Sequence, residues 1–347
     1  MIYTTLTADQ ISTARETLYE SIPITGTLVS GTYGTYPDDT NVLKYTASHG
    51  LFESVYDYPY ASSSANSIFD LTYGVRSGSS LTPVTQSAEK YRIYKEMAQT
   101  LFGFDVTGNV KNFVINGSTV DRMFFVNFSR LLTKDGIKIG SFSASMGTSS
   151  WTAHKFAGPL LQMSDNPSST YLTVNSDSPV GQYWKIYSGS TYTDANQIGF
   201  LFYQQGVLAL NQGNSVFNSL AYSSSVSNPP GGYLSGSLLA STGTITEISD
   251  AFRKHVNNLQ FQNTVQINST IYNCQVGLNQ YNYSSNITYT SASQIVVKNS
   301  VIDTPVTYIT TVGLYDDTDQ LLAVAKLSEP LRKTSADSIN LRVRLDY

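Results

Sequence analysis

The chain has 347 residues, with 21 Lys plus Arg against 25 Asp plus Glu, a net charge of −4. That balance excludes a protein whose main task is to grip duplex DNA, which needs a basic face to displace counterions. At roughly 100–200 residues per domain, the length allows two or three domains and a sizeable core.

Charged residues make up 13 % of the chain, about half the usual share, and Ser, Thr, Asn, Gly and Tyr take their place. The 25 Tyr and 15 Phe supply the apolar area that a disordered chain lacks. A polar, uncharged surface of this kind suits large, wet, permanent contacts. Met1-Ile2-Tyr3-Thr4-Thr5 lacks the basic-then-apolar order of a signal peptide. No run approaches the ~18 apolar residues of a membrane span.

From the N-terminus, Ile11, Ala14, Leu18 and Tyr19 recur at helical spacing, which predicts a helix over 8–20 with Thr7 as its cap. With Ile22-Pro23-Ile24-Thr25-Gly26 behind it, segment 1–25 reads as a helix or arm suited to reaching a neighbour. Segments 31–39, 60–67 and 223–236 are rich in Ser, Gly, Tyr and Pro and read as loops. A second helix is predicted over 87–102. Ser87 caps it, Glu89 sits in its first turn, Tyr91, Tyr94, Met97, Ala98 and Leu101 form one face, and Gly103 stops it. Lys90, Arg92 and Lys95 on that helix read as its solvated face.

The run Met123-Phe124-Phe125-Val126-Asn127-Phe128 predicts a buried strand, Lys134-Asp135-Gly136 a turn, and 137–143 the next strand. Residues 197–209 predict a hairpin turning at Gln204-Gln205-Gly206. Ser227-Asn228-Pro229-Pro230-Gly231-Gly232 is a breaker cluster, and a domain boundary is expected near 240–247. A third helix is predicted over 248–259, presenting Ile248, Phe252, His255, Val256 and Leu259. Beyond Phe261, apolar and polar residues alternate through 265–276, 294–298, 306–314, 321–327 and 339–345. The expected fold is therefore mainly β with a few helices (α+β). Segment 1–25 is the helix or arm, 26–245 a mixed body rich in strands and long loops, and 246–347 an antiparallel β-sandwich.

No residue pattern announces catalysis. His49, His154 and His255 have no partner at metal-ligand spacing, and His255 reads as a packed core residue. His154, close behind Trp151, reads as partly buried core, with a sugar or base platform as the alternative. Asp38, Asp39, Asp121, Asp135, Asp316, Asp317 and Asp319 form no legible glycosidase pair. Asp38-Asp39 and Asp316-Asp317-Thr318-Asp319 read as turns, and the latter lacks the Gly and distal Glu of a calcium loop. Cys274 reads as a small strand residue, and Ser143-Ala144-Ser145-Met146-Gly147 has no base near it. The expectation is no enzyme, no cofactor and no metal. A glycan- or receptor-binding module using Trp151 and Trp184 as stacking platforms is the alternative.

The segment Val306-Thr307-Tyr308-Ile309-Thr310-Thr311-Val312-Gly313-Leu314-Tyr315-Asp316-Asp317, with Gln320-Leu321-Leu322-Ala323-Val324-Ala325-Lys326-Leu327-Ser328-Glu329-Pro330, resembles a hairpin of tail and baseplate structural proteins of tailed bacteriophages. Leu341-Arg342-Val343-Arg344-Leu345-Asp346-Tyr347 is similar to the terminal strand of that group. Residues 90–99 and 125–135 are similar to virion proteins of myophages, cyanophages in particular. The resemblance implies a structural protein of a contractile tail, in the baseplate wedge or as a tail-fibre or neck connector. Such a protein is made in the host cytoplasm and located in the virion. Its implied partners are other tail and baseplate proteins, in several copies of a symmetric assembly, with no nucleic acid and no membrane span. In the terminal strand, Arg342 and Arg344 alternate with Leu341, Val343 and Leu345, so the two arginines are the expected interface residues.

Overall fold

The structure, a computed structural model, describes residues 4–25, 40–45, 50–62, 64–79, 82–147, 151–152, 155–156, 159–214, 217, 221–222, 232–233, 241–282, 290–291, 294–295 and 306–347. The chain is mainly β with a few helices, as its alternating apolar runs require. It folds as two compact units. One is Leu18–Val265, and the other joins Met1–Thr17 to Gln266–Tyr347. The expected boundary at 240–247 falls inside the larger unit, and the division instead runs through two long strands, β1 (Ile11–Thr25) and β11, defined below.

In chain order the larger unit places β2 (Val42–Lys44), β3 (Glu53–Tyr56), β4 (Ser67–Val75), α1 (Ser87–Phe102), β5 (Arg122–Phe128) and α2 (Arg130–Thr133). There follow β6 (Ser143–Met146), β7 (Leu161–Ser164), β8 (Gly181–Ser188), β9 (Gln197–Phe202), β10 (Val207–Asn211), α3 (Ile245–His255) and the start of β11 (Val256–Val276). Its sheet runs β11-β6-β7-β8-β9-β10-β5-β4-β3-β2, and each of these neighbours pairs antiparallel. The β5 run Met123–Val126 is buried on both faces, which is why it reads as a continuous apolar segment rather than an alternating one. The β9–β10 hairpin turns at Gly206, whose φ of +67° suits a residue without a Cβ.

Helix α1 lies against β4 at Gly74, where an added Cβ would stand 2.7 Å from the Tyr94 amide nitrogen. The end of α1 drives Phe102 into a ring cluster. Phe113, Tyr183, Phe200 and Phe202 surround it edge-on, with centroids 5.1–5.5 Å away. On α3, Phe252 packs on Phe124 at 4.7 Å.

Three predicted elements change. Residues 8–20 are not a helix: Ala8–Gln10 make one 3-10 turn, capped by Thr7, whose amide donates to the Gln10 side chain (3.0 Å). The chain then extends as β1, hydrogen-bonded to β11. The β-branched Ile11, Thr13 and Thr17 favour that extension, and a helix this short is marginal without a packed face. The third helix starts at Ile245 rather than 248, where Thr244 caps it and Glu247 completes the capping box. It ends at His255, because Val256 onward is claimed by pairing with β6. The expected strand 137–143 is broken. Gly136–Ile137 pair with β11, Gly140 turns at φ +78°, and β6 begins only at Ser143.

In the smaller unit, the second half of β11 pairs antiparallel with the terminal strand β14 (Ile339–Asp346), from Ser269↔Asp346 to Val276↔Ile339. β12 (Val306–Tyr315) and β13 (Leu321–Thr334) form a long antiparallel hairpin. Of the predicted strand 294–298, Gln294–Ile295 are described, paired with Thr290–Ser291. The expected loop at 31–39 and most of that at 223–236, with His49, His154, Asp38 and Asp39, lie outside the described residues; within the latter, Gly232–Tyr233 are extended and pair antiparallel with Ala221–Tyr222.

Candidate functional site

The alternation of the terminal strand fixes its faces. Val343 is buried, Leu341 and Leu345 are half-buried, and Arg342 and Arg344 are exposed. The two arginines differ in what they do. Arg344 donates to Glu16 (2.7 Å) and to Asp346 (2.7 Å). Its hydrogen bonds to the Glu16 carboxylate and then to Asp346 hold its guanidinium above its ordinary pKa. Asp346 is held low, first by the Ser269 hydroxyl and then by Arg344. Arg342 has no ion pair among the described residues, so it is the cation that the strand presents outward. Tyr347 closes the strand by exchanging two backbone bonds with Asn268 (2.9 and 3.1 Å).

The β12–β13 hairpin is the second exposed element. Its turn is built by Asp316, whose Oδ1 accepts from the Thr318 amide (2.9 Å), the Thr318 hydroxyl (2.9 Å) and the Gln320 amide (2.8 Å). Those bonds lower the Asp316 pKa, the Gln320 amide most. The carboxylate is therefore turn chemistry, as the sequence suggests. Along the hairpin, Tyr308 (60 %), Leu321 (52 %), Leu322 (66 %) and Val324 (52 %) stand exposed. The register places Val324 across from Gly313 and Tyr308 across from Arg332, so the apolar exposure is spread along the ribbon. At its base, Lys333 is fully buried and donates to Asn282 Oδ1 (2.6 Å). Nothing in the local sequence marks Lys333 as buried, because its partner lies 51 residues away.

Trp184 lies on β8 half-buried against the core of the larger unit, and its indole Nε1 is buried with no hydrogen-bond partner among the described residues. Trp151 pairs through its backbone with Phe156, and its side chain lies outside the described residues.

The helix cations divide as well. Arg92 and Lys95 are not buried, and Arg92 pairs with Glu96 at 3.7 Å. Lys90, read as solvated, is instead fully buried and donates to the Gly243 carbonyl (2.6 Å), tying α1 to the start of α3. Burial lowers its pKa to about 8, against the opposing charge of Glu247. His255 is buried, with Nδ1 2.6 Å from the Gly147 carbonyl, a satisfied core residue.

Two buried polar groups were not legible in the sequence. Asp250 on α3 accepts from Lys44 (2.5 Å) and Arg253 (2.5 Å), with Lys254 at 3.8 Å, and Arg253 reaches Glu53 at 3.5 Å. Asp165 is buried and accepts from Gly140 N (2.7 Å), Phe142 N (3.0 Å) and the Tyr203 hydroxyl (2.9 Å). Desolvation raises Asp165 to about 6 even though all three donors favour its charged form. Both groups close on themselves inside the larger unit and read as structure.

Among the described residues, no group of three or more His, Cys, Asp or Glu is placed to hold a metal ion. No helix among them is long and apolar enough to cross a membrane. Comparison of the chain with protein-family models, curated proteins and solved structures gives no match.

Proposed function

We propose that the chain is a structural component of a contractile phage tail, in the baseplate wedge, working as an assembly scaffold and not as an enzyme. One observation carries the reading. The segment that resembles phage tail proteins is also the β12–β13 hairpin, a two-stranded ribbon bearing exposed Tyr308, Leu321, Leu322 and Val324. An isolated two-stranded ribbon is marginal in water, and exposed strand edges invite pairing. A ribbon of this kind gains stability when neighbouring subunits cover it. The outward Arg342 adds a charged contact at the terminal strand. Partners of this reading are other tail and baseplate proteins, in several copies, and the site of action is the virion.

The test is mass spectrometry of density-purified particles from the phage that encodes the chain. Peptides of the chain at a constant ratio to the tail proteins across the particle peak support the reading. Peptides confined to the soluble lysate refute it.

A further inference from the structure

At the base of the β12–β13 hairpin, a lysine amine sits against a side-chain amide inside the protein. Lys333 is fully buried and Asn282 is 4 % exposed. The Lys333 Nζ donates to Asn282 Oδ1 at 2.6 Å, and the two residues are 51 positions apart. The same amide is held from its other end. Its Nδ2 donates to the Lys333 carbonyl (3.3 Å) and to the Thr307 hydroxyl (3.4 Å). Thr307 lies across from Lys333 in the hairpin register, so Asn282 caps that pair.

A buried amine on an amide oxygen is ordinarily a hydrogen bond and nothing more. Three features take this contact further. The first is distance. A C=O bond is ~1.2 Å long, so Asn282 Cγ is no more than about 3.8 Å from the amine. Reacting atoms in a near-attack geometry are about 3–3.5 Å apart, and the terminal torsion of an asparagine is soft enough to close the difference. The second is a neighbouring carboxylate. Asp337 accepts from the Thr334 amide (2.9 Å) and hydroxyl (2.6 Å), next to Lys333 in the chain. Its pKa is lowered by that hydroxyl and amide first, then by the charges of Arg332 and Lys333, so it lies within the field of the amine and can relay its protons. The third is the thin core. Ile271, Leu314 and Val343 are the buried apolar side chains among the described residues of the smaller unit. Small cores are commonly reinforced by covalent staples, and a single cysteine gives this chain no internal disulfide.

We propose that Lys333 and Asn282 join in an intramolecular isopeptide bond. The Nζ lone pair attacks Cγ, and the Cγ–Nδ2 bond breaks. Nζ passes from ammonium to secondary amide and gives up two protons. The departing NH2 group takes both and leaves as ammonium. Atoms and charge balance, and no oxidant or co-reactant is needed. The bond closes a ring that encloses β12 and β13 up to Lys333, and such a cross-link restricts the unfolded chain. It draws only on residues of the smaller unit and does not depend on the virion reading.

The experiment is intact-mass spectrometry of the purified full chain, followed by tryptic mapping. Wild type is expected to be lighter than its sequence by one ammonia. Trypsin should not cut after Lys333, and one branched peptide should contain both Lys333 and Asn282. Lys333→Arg keeps a buried cation and should carry the full mass of its own sequence. The wild-type result stands by itself should that variant fold poorly. The inference is overturned if wild type has its full sequence mass with Lys333 free in the digest. It is equally overturned if the ammonia loss maps to an asparagine cyclised on its own backbone, or if Lys333→Arg shows the same loss at Asn282.

Discussion

The two units hold themselves together by different means. In the larger one, β5 and β9 are buried on both faces, and rings from Phe102 to Phe252 interlock across strands and helices. In the smaller one, Ile271, Leu314 and Val343 are the buried apolar side chains among the described residues, while Tyr308, Leu321, Leu322 and Val324 face outward. Burial stabilises by about 25 cal/mol per Å² of apolar area, so the larger unit carries a core of its own. Set against the entropy of ordering two long hairpin strands, the described residues of the smaller unit bury little apolar area. The difference separates a unit with a core of its own from one whose described residues leave large apolar side chains exposed.

Changes within the larger unit are expected to have the largest effects. Asp250→Ala leaves Lys44, Arg253 and Lys254 without their shared carboxylate in a dry site. Stripping one partner from a buried ion group costs about 3–5 kcal/mol, and urea unfolding should register a loss at the top of that range. Phe124→Ala removes a ring packed on Tyr73, Phe217 and Phe252. About 3–4 kcal/mol should be lost in the same assay. A loss below about 1 kcal/mol for either would mean that the larger unit is not the self-sufficient core described here.

A pH series sharpens the same point. The Asp165 pKa is raised from 3.8 to about 6 in the folded protein by burial. The folded state therefore binds the extra proton, and the group's contribution is fully present below about pH 4 and lost as pH rises to about 6. The difference is on the order of 3 kcal/mol. Other carboxylates titrate in the opposite sense, so the comparison is wild type against Asp165→Asn. Wild type should lose stability relative to the variant between pH 4 and 6, and a flat difference would contradict the buried, raised carboxylate.

Much of the fold was legible because local signals agreed with burial. Helix α1, β5, the β9–β10 hairpin, the Asp316 turn and the alternation of the terminal strand all follow from short segments with a clear period or turn residue. The failures share a cause. Residues 8–20 have helical spacing, but a long strand partner overrides it. Lys90 and Lys333 look like surface lysines until carbonyl and amide partners from distant segments bury them. Asp250 meets Lys44 across 206 residues, and a cleft lined by Phe102, Asn112 and Lys185 draws its residues from separated segments. No window of sequence contains those neighbours.

The smallest effects are expected in the smaller unit. Leu322→Ser and Val324→Ser change exposed side chains and should alter the stability of the free protein by no more than about 0.5 kcal/mol. A cost approaching that of Phe124→Ala would mean the hairpin is already packed, and the contrast between the units would fail.

The most direct measurement supplies the chain in trans to a phage lacking its own copy, as wild type or as the Leu322→Asp/Val324→Asp variant, and quantifies the chain in purified particles by mass spectrometry. The expected result is wild type at a fixed ratio to the tail proteins and the variant, equally stable when free, depleted at least tenfold. Equal incorporation of wild type and variant would contradict a hairpin that works as an assembly surface, and absence of wild type from particles would contradict the virion role itself.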